Sequence, residues 1–199
     1  MTARRGQVIP LRRADTRTDA LSEAGLVAAC AAGDRAARAI LFERHVDAVH
    51  RFATRMTGDV DLADDLVQAT FLTAYRAAAS YRGGSAVRTW LCGICANVLR
   101  TQARGELRRR TAHEHAVEHR GDAAISGTAA AEHRELVARL PAAIAALRHE
   151  LRAAFVLVDL EGARGADAAA ALGIPEGTLW RRLHEARAAL RAALTGGSP

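Results

Sequence analysis

Along most of this chain apolar residues recur every three or four positions, the spacing that lines one face of an α-helix. The pattern holds from about residue 21 to 104. It fades over 105–131, where Gly105, Gly121, Gly127, Arg108-Arg109-Arg110 and three histidines leave no stable apolar face. It returns from Glu132 to about Leu194, with Leu136, Leu140, Ile144 and Leu147 at i, i+4, i+8 and i+11. Residues 1–20 carry five arginines and no apolar period. The predicted fold is therefore all-α: a basic disordered arm (1–20), a small helical domain (21–104), a flexible linker (105–131) and a second small helical domain (132–195). Phe155-Val156-Leu157-Val158 alone would suit a buried strand, but its place within a longer helical pattern favours helix.

Composition agrees with helices, because 47 of the 199 residues are alanine and only 4 are proline. All 28 basic residues are arginine, against 22 acids, and the net charge of +6 suggests a polyanionic partner, most simply nucleic acid. The absence of lysine excludes Schiff-base chemistry and the phosphate loop that ends in Lys-Ser/Thr. Cys30, Cys92 and Cys95 are too few for a secreted disulfide framework, so a reducing cytoplasm is expected. Charges recur too often for a membrane span, and no membrane insertion is expected. Val27-Ala28-Ala29-Cys30 resembles a lipoprotein cleavage box, but Asp15, Asp19, Ser22 and Glu23 occupy the apolar stretch that such a signal needs.

Charge is segregated within the first domain. Between Arg55 and Arg76 every charged residue is acidic, and from Arg76 to Arg104 every one is basic. Asp61, Asp64/Asp65 and Gln68 fall at i, i+3/i+4 and i+7 and share a polar face that suits a basic protein partner or simply solvent. Asn97, Arg100 and Arg104 share another face at the same spacing, a set suited to phosphates and base edges. The preceding loop, Tyr81 to Arg88, combines an aromatic ring, cations, glycines and Ser85. Such a loop suits an unstacked base.

The second domain contains a helix-turn-helix pattern. Ala169 lets two helices approach, Gly173 permits the turn, Pro175 suits entry to the next helix, and Leu179 plugs the interface. Leu179, Leu183, Ala186 and Leu190 are predicted to face the core, leaving Thr178, Arg181, Arg182 and Glu185 outside, near the end that enters a major groove.

These stretches together resemble the extracytoplasmic-function sigma factors of bacterial RNA polymerase, which have only the second and fourth sigma domains. Gly33-Asp34-Arg35-Ala36-Ala37 with Leu41-Phe42, Ala63 to Leu72, Arg88-Thr89-Trp90-Leu91 through Asn97, and Gly173 to Arg187 carry the likeness. The resemblance implies a factor that binds core RNA polymerase and directs promoter recognition and transcription initiation. It implies that Asp61, Asp64, Asp65, Gln68 and Phe71 dock on the polymerase, and that Tyr81, Arg82, Ser85, Arg88, Asn97, Arg100 and Arg104 engage minus-ten promoter DNA. It assigns Thr178, Trp180, Arg181, Arg182 and Arg187 to the minus-thirty-five element, and implies an anti-sigma partner, since the family commonly has one. It also implies a linker drawn out when both domains bind.

The second domain departs from the family pattern. Arg164, Asp167 and Ala168 stand where a capping serine, a glutamate and a branched apolar residue are usual, which predicts a poorly capped, loosely packed helix. Trp180 and Arg181 stand where a basic residue and a serine are usual.

Two further patterns are set aside. His115-Ala116-Val117-Glu118-His119 matches a zinc-hydrolase motif, but in a charged linker without a rigid helix. Cys92-Gly93-Ile94-Cys95 has no second pair for a structural zinc, and reads as two half-buried helix residues. No metal, cofactor or catalytic residue is expected, and the chain is not expected to be an enzyme. The alternative reading is a stand-alone helix-turn-helix regulator, which would have no need of the acidic face.

Overall fold

In a computed structural model, residues 21–111 and 129–195 are described, and every regular element among them is helical. The first domain contains α1 (Glu23–Ala31), α2 (Arg35–Thr57), α3 (Val60–Ala77) and α4 (Val87–Thr111). Short polar residues start three of these, as the orphan N–H groups of a helix end require. Ser22 accepts from the Gly25 N–H, Asp34 from Ala36 and Ala37, and Asp59 from Asp61 and Leu62. Helix α2 stops at Gly58, whose φ of 74° is the left-handed conformation that glycine adopts without strain, and whose N–H donates to Thr54 O at 2.8 Å. The turn sends α3 back along α2. Leu41, Phe52, Met56, Leu66 and Leu91 are fully or almost fully buried where α1–α4 meet.

Helix α4 continues past the expected boundary at 104 to Thr111. Residues 106–110, Glu-Leu-Arg-Arg-Arg, are good helix formers, and extending an existing helix costs far less than nucleating one. The 1–20 arm and most of the expected linker, with the His115–His119 pattern, lie outside the described residues.

The second domain contains α5 (Ala129–Ala146), α6 (His149–Phe155), α7 (Gly165–Leu172) and α8 (Glu176–Thr195). The ambiguous Phe155–Val158 run is helical: α6 widens into a π turn at Val156–Leu160, with the Glu161 N–H reaching Val156 O at 2.9 Å. At the helix-turn-helix, Gly173 has a φ of 66° and Ile174 N–H donates to Ala169 O at 3.0 Å. Leu179, Leu183, Ala186 and Leu190 are buried as predicted.

The expectation for α7 divides. Arg164 makes no capping bond with its side chain and only faces Asp167 at 3.9 Å. The packing, however, is close. Ala168 is fully buried, and the Trp180 ring covers Gly165.

The two domains are packed together instead of standing apart. Helix α7 crosses α4 so closely that a Cβ on Gly93 would lie 2.3 Å from the Ala171 carbonyl oxygen. Arg152 of α6 donates to three carbonyls that terminate helices or follow one: Met56 at the end of α2, Ala145 in α5, and Leu147 beyond it at 2.8 Å. Carbonyls at helix ends lack partners within their own helix and carry the negative end of the macrodipole, so one guanidinium ties both domains at this point.

Candidate functional site

Helix α3 presents the acidic face. Asp61, Asp65 and Gln68 are exposed at i, i+4 and i+7, and Asp64 beside them pairs with His50 Nε2 at 3.1 Å. Leu72, at i+11, continues that face and is 49% exposed, with Leu62 close by at 57%. Neither leucine was among the residues expected at this surface. The spacing of Asp61, Asp65 and Gln68, carried one turn further, would have found Leu72. Phe71 departs from the expectation of a docking side chain: its ring is buried, edge-on to Phe42 at 4.8 Å between centroids. It supports the face from beneath while Phe42 is partly exposed.

The loop before α4 is ordered from within. Tyr81 donates its hydroxyl to Ser85 O at 2.6 Å and packs its ring 5.0 Å from that of Trp90. Ser85 is consequently buried, while Arg82, the two glycines, Ala86 and Arg88 are exposed. Beside this loop an open cleft is lined by Ala24, Val27, Ala28, Tyr81 and Arg82. Small alanines leave room there for a planar group.

Asn97, Arg100 and Arg104 lie along α4, and Arg88, expected in the preceding loop, stands in its first turn; these residues do not all face solvent. Arg88 donates to Glu161 O at 2.7 Å, and Asn97 and Arg100 are half-buried around a small cleft shared with His149, Glu150 and Arg182 from the second domain. Arg104 is exposed. His149 is held below its ordinary pKa chiefly by burial, with Arg152 and Arg100 adding to the effect, and Glu150 and a bond to the Ala96 backbone opposing it.

On α8 the expected DNA-facing residues are dispersed. Thr178 is half-buried at the first turn, and Trp180 donates to Glu176 at 3.2 Å while lying over Gly165. Arg181 is exposed and pairs with Glu185 at 3.5 Å, and Arg182 faces the first domain. Arg187 holds Asp159 with two bonds of 2.9 and 2.7 Å.

The Cys92 and Cys95 thiols are buried more fully than the expected half-burial. Burial pushes both up, Cys95 to about 12, so neither offers a thiolate. Among the described residues no cluster of His, Cys, Asp or Glu could hold a metal ion, and no helix is long and apolar enough to cross a membrane.

The chain, with an acidic face and a basic helix in one domain and a helix-turn-helix in the other, resembles known proteins over both parts. The family profile of Sigma-70 region 2 matches residues 41–111, and that of Sigma-70 region 4 matches residues 138–190. The ECF RNA polymerase sigma factor SigM of Mycobacterium tuberculosis is 39% identical over 87% of this chain and 85% of its own length. This chain belongs to the extracytoplasmic-function sigma factors. The sigma factor CarQ of Myxococcus xanthus is 35% identical over 77% of this chain and 87% of its own. Among solved structures, the sigma factor RpoE of Bartonella quintana, in complex with the anti-sigma factor NepR, superposes with a TM-score of 0.60 at 26% identity, covering 77% of this chain and 94% of that one. CnrH, in complex with the cytosolic domain of CnrY, superposes with a TM-score of 0.59 at 27% identity, covering 88% and 99%. The protein is thus an RNA polymerase sigma factor, whose work is to bind core polymerase and direct transcription initiation at promoters. The stand-alone regulator is not favoured.

Proposed function

We propose that this sigma factor divides its work between the two faces of its first domain. Asp61, Asp65 and Gln68, with Leu62 and Leu72, form the polymerase contact, an arrangement of acidic groups around exposed apolar side chains. Arg82, Arg88, Asn97, Arg100 and Arg104 engage the minus-ten element, and the cleft beside Tyr81 receives an unstacked base. Unstacking a base costs a few kcal/mol, and stacking in a pocket returns about 1–3 kcal/mol, so a few matched bases can decide where the duplex opens. Thr178, Arg181 and Arg182 at the start of α8 read the minus-thirty-five element, Trp180 shapes that surface and Arg187 anchors the helix to Asp159.

The protein performs no chemistry of its own in this reading and works in the cytoplasm, where the polymerase is. The solved relatives bound to NepR and CnrY support a partner of the anti-sigma kind that covers these same surfaces. The carrying observation is the exposed row Asp61, Asp65, Gln68 and Leu72 on one face of α3. The test is co-elution with core RNA polymerase at physiological salt. Wild type is expected to co-elute and Asp65→Arg to lose the complex while keeping its circular dichroism; equal binding by both would refute the assignment.

A further inference from the structure

We propose that Trp180 gives this sigma factor a base preference of its own, reading the C5-methyl group of a thymine in the minus-thirty-five element, with Glu176 as the residue that positions its ring. The inference rests on the placing of the start of α8 on that element, made above.

The first observation is how the ring is held. Glu176 is the first residue of α8 and Trp180 the fifth, so the two are neighbours at i and i+4 on the helix surface. The indole Nε1–H donates to Glu176 Oε1 at 3.2 Å. The atoms next along the same edge, Cε2, Cζ2 and Cη2, pack against Gly165 of α7, where a Cβ would come within 2.4 Å of the ring. One edge of the indole is thus committed to the protein. The opposite edge, through Cε3 and Cζ3, carries only C–H groups. Although held in this way, Trp180 is still 46% exposed. A ring already fixed has little rotamer freedom left to lose when a partner covers it.

The chemistry of the ring then limits what it can read. An indole has one donor and no acceptor, and that donor is taken by Glu176. No hydrogen bond remains for a base edge. In the major groove the apolar feature is the thymine C5-methyl, whereas a G·C pair presents donors and acceptors alone. The Glu176 carboxylate beside the ring sharpens the choice, because the N7 and O6 acceptors of guanine repel it. The neighbouring cations are partnered within the chain: Arg181 pairs with Glu185 at 3.5 Å, and Arg187 is bound twice to Asp159.

The second observation is Gly177, which lies beside the ring at i−3. Glycine is the poorest helix former after proline, yet it stands in the first turn of α8. Its φ is not left-handed, and a Cβ added to it would meet nothing within 4 Å. Neither backbone conformation nor crowding inside the chain calls for glycine there. A bare backbone next to the indole lets a partner approach closely, as contact between a ring and a methyl group requires.

The test uses holoenzyme assembled from the full chain and core RNA polymerase, and duplexes that it selects from a pool randomised over the promoter. In the best-bound duplex, each thymine upstream of the segment that opens is replaced in turn by deoxyuridine, which removes only the methyl group. At one position wild-type affinity is expected to fall about fourfold, the worth of one buried methyl group. At that position 5-methylcytosine is expected to bind about fourfold more tightly than cytosine. Trp180→Ala should respond to neither change, and Trp180→Arg should select guanine there instead. Glu176→Ala should lose most of the methyl dependence, and Glu176→Gln, which still accepts from the indole, should keep it. A wild type indifferent to every methyl group would overturn the proposal, whatever the variants do, and so would equal methyl sensitivity in Trp180→Ala. An upstream preference that Arg181→Ala alters, without methyl dependence, would overturn the thymine reading alone. If neither Arg181→Ala nor Trp180→Ala changed the upstream bases selected, the placing of α8 on the minus-thirty-five element would itself fall.

Discussion

The indole of Trp180 packs against Gly165, so close that a Cβ there would come within 2.4 Å of the ring. The first residue of α7 is therefore held by the fifth residue of α8, and the helix-turn-helix gains a contact where its capping side chain fails. Trp180→Ala should destabilise the second domain by about 1–2 kcal/mol, since the ring is about half exposed. Gly165→Ala should displace the ring with a comparable loss. Thermal unfolding of both variants checks this, and an unchanged midpoint in Trp180→Ala would show that the ring contributes nothing to the fold.

Phe71 and Leu72 are neighbours with opposite duties. Phe71→Ala removes a buried ring packed on Phe42 and Tyr75, and should cost about 3–5 kcal/mol in urea unfolding. Leu72→Asp, on the exposed face, should change stability by less than about 1 kcal/mol yet weaken co-elution with core polymerase.

The three cysteines should behave as core residues. All are buried, and burial raises each thiol above its ordinary pKa. Iodoacetamide at mildly alkaline pH should leave the folded protein unmodified and alkylate all three once it is unfolded. Mass spectrometry distinguishes the two results, and rapid modification of the native chain would contradict the buried placement of Cys92 and Cys95.

Acid should loosen the packing of the domains through His149. Its folded pKa lies below the ordinary 6.5, mainly because burial penalises the imidazolium. A depressed histidine contributes stability that is present above about pH 6.5 and lost as pH falls toward the folded value. The charged groups around it act in both directions: Arg152 on its own helix and Arg100 from α4 repel a second cation, whereas Glu150 and the bond to the Ala96 backbone favour one, and burial outweighs them. Urea midpoints of wild type should fall between neutral pH and about pH 5.5, and His149→Gln should flatten that fall.

Individual helices were readable in the sequence because their signals are local. The apolar period and the Gly173 turn each act within a few residues, and the structure uses them as expected; the Asp34 and Asp59 caps are signals of the same local kind. The row Asp61, Asp65 and Gln68 was readable for the same reason. The burial of Phe71 is not legible in this way, because burial depends on what lies across the helix, and no spacing along α3 shows that Phe42 packs on it. The packing of the two domains was not legible either: Gly93 and Glu161 look unremarkable until α7 and the π turn are laid against α4 and α2. A flexible connection suggested independence, whereas the contacts that join the domains are set by residues far apart in the chain.

The paired and half-buried arginines also bear on how the protein travels in the cell. A bacterial genome offers about a million or more non-specific sites to any protein that displays a row of cations. A chain carrying a net charge of +6 would ordinarily be spread along that DNA, out of reach of the polymerase. With Arg55 and Arg88 paired to Glu161, and Arg100 and Arg182 half-buried, part of that adhesion is withheld. The folded chain can then stay in free solution and search for an enzyme instead of a sequence.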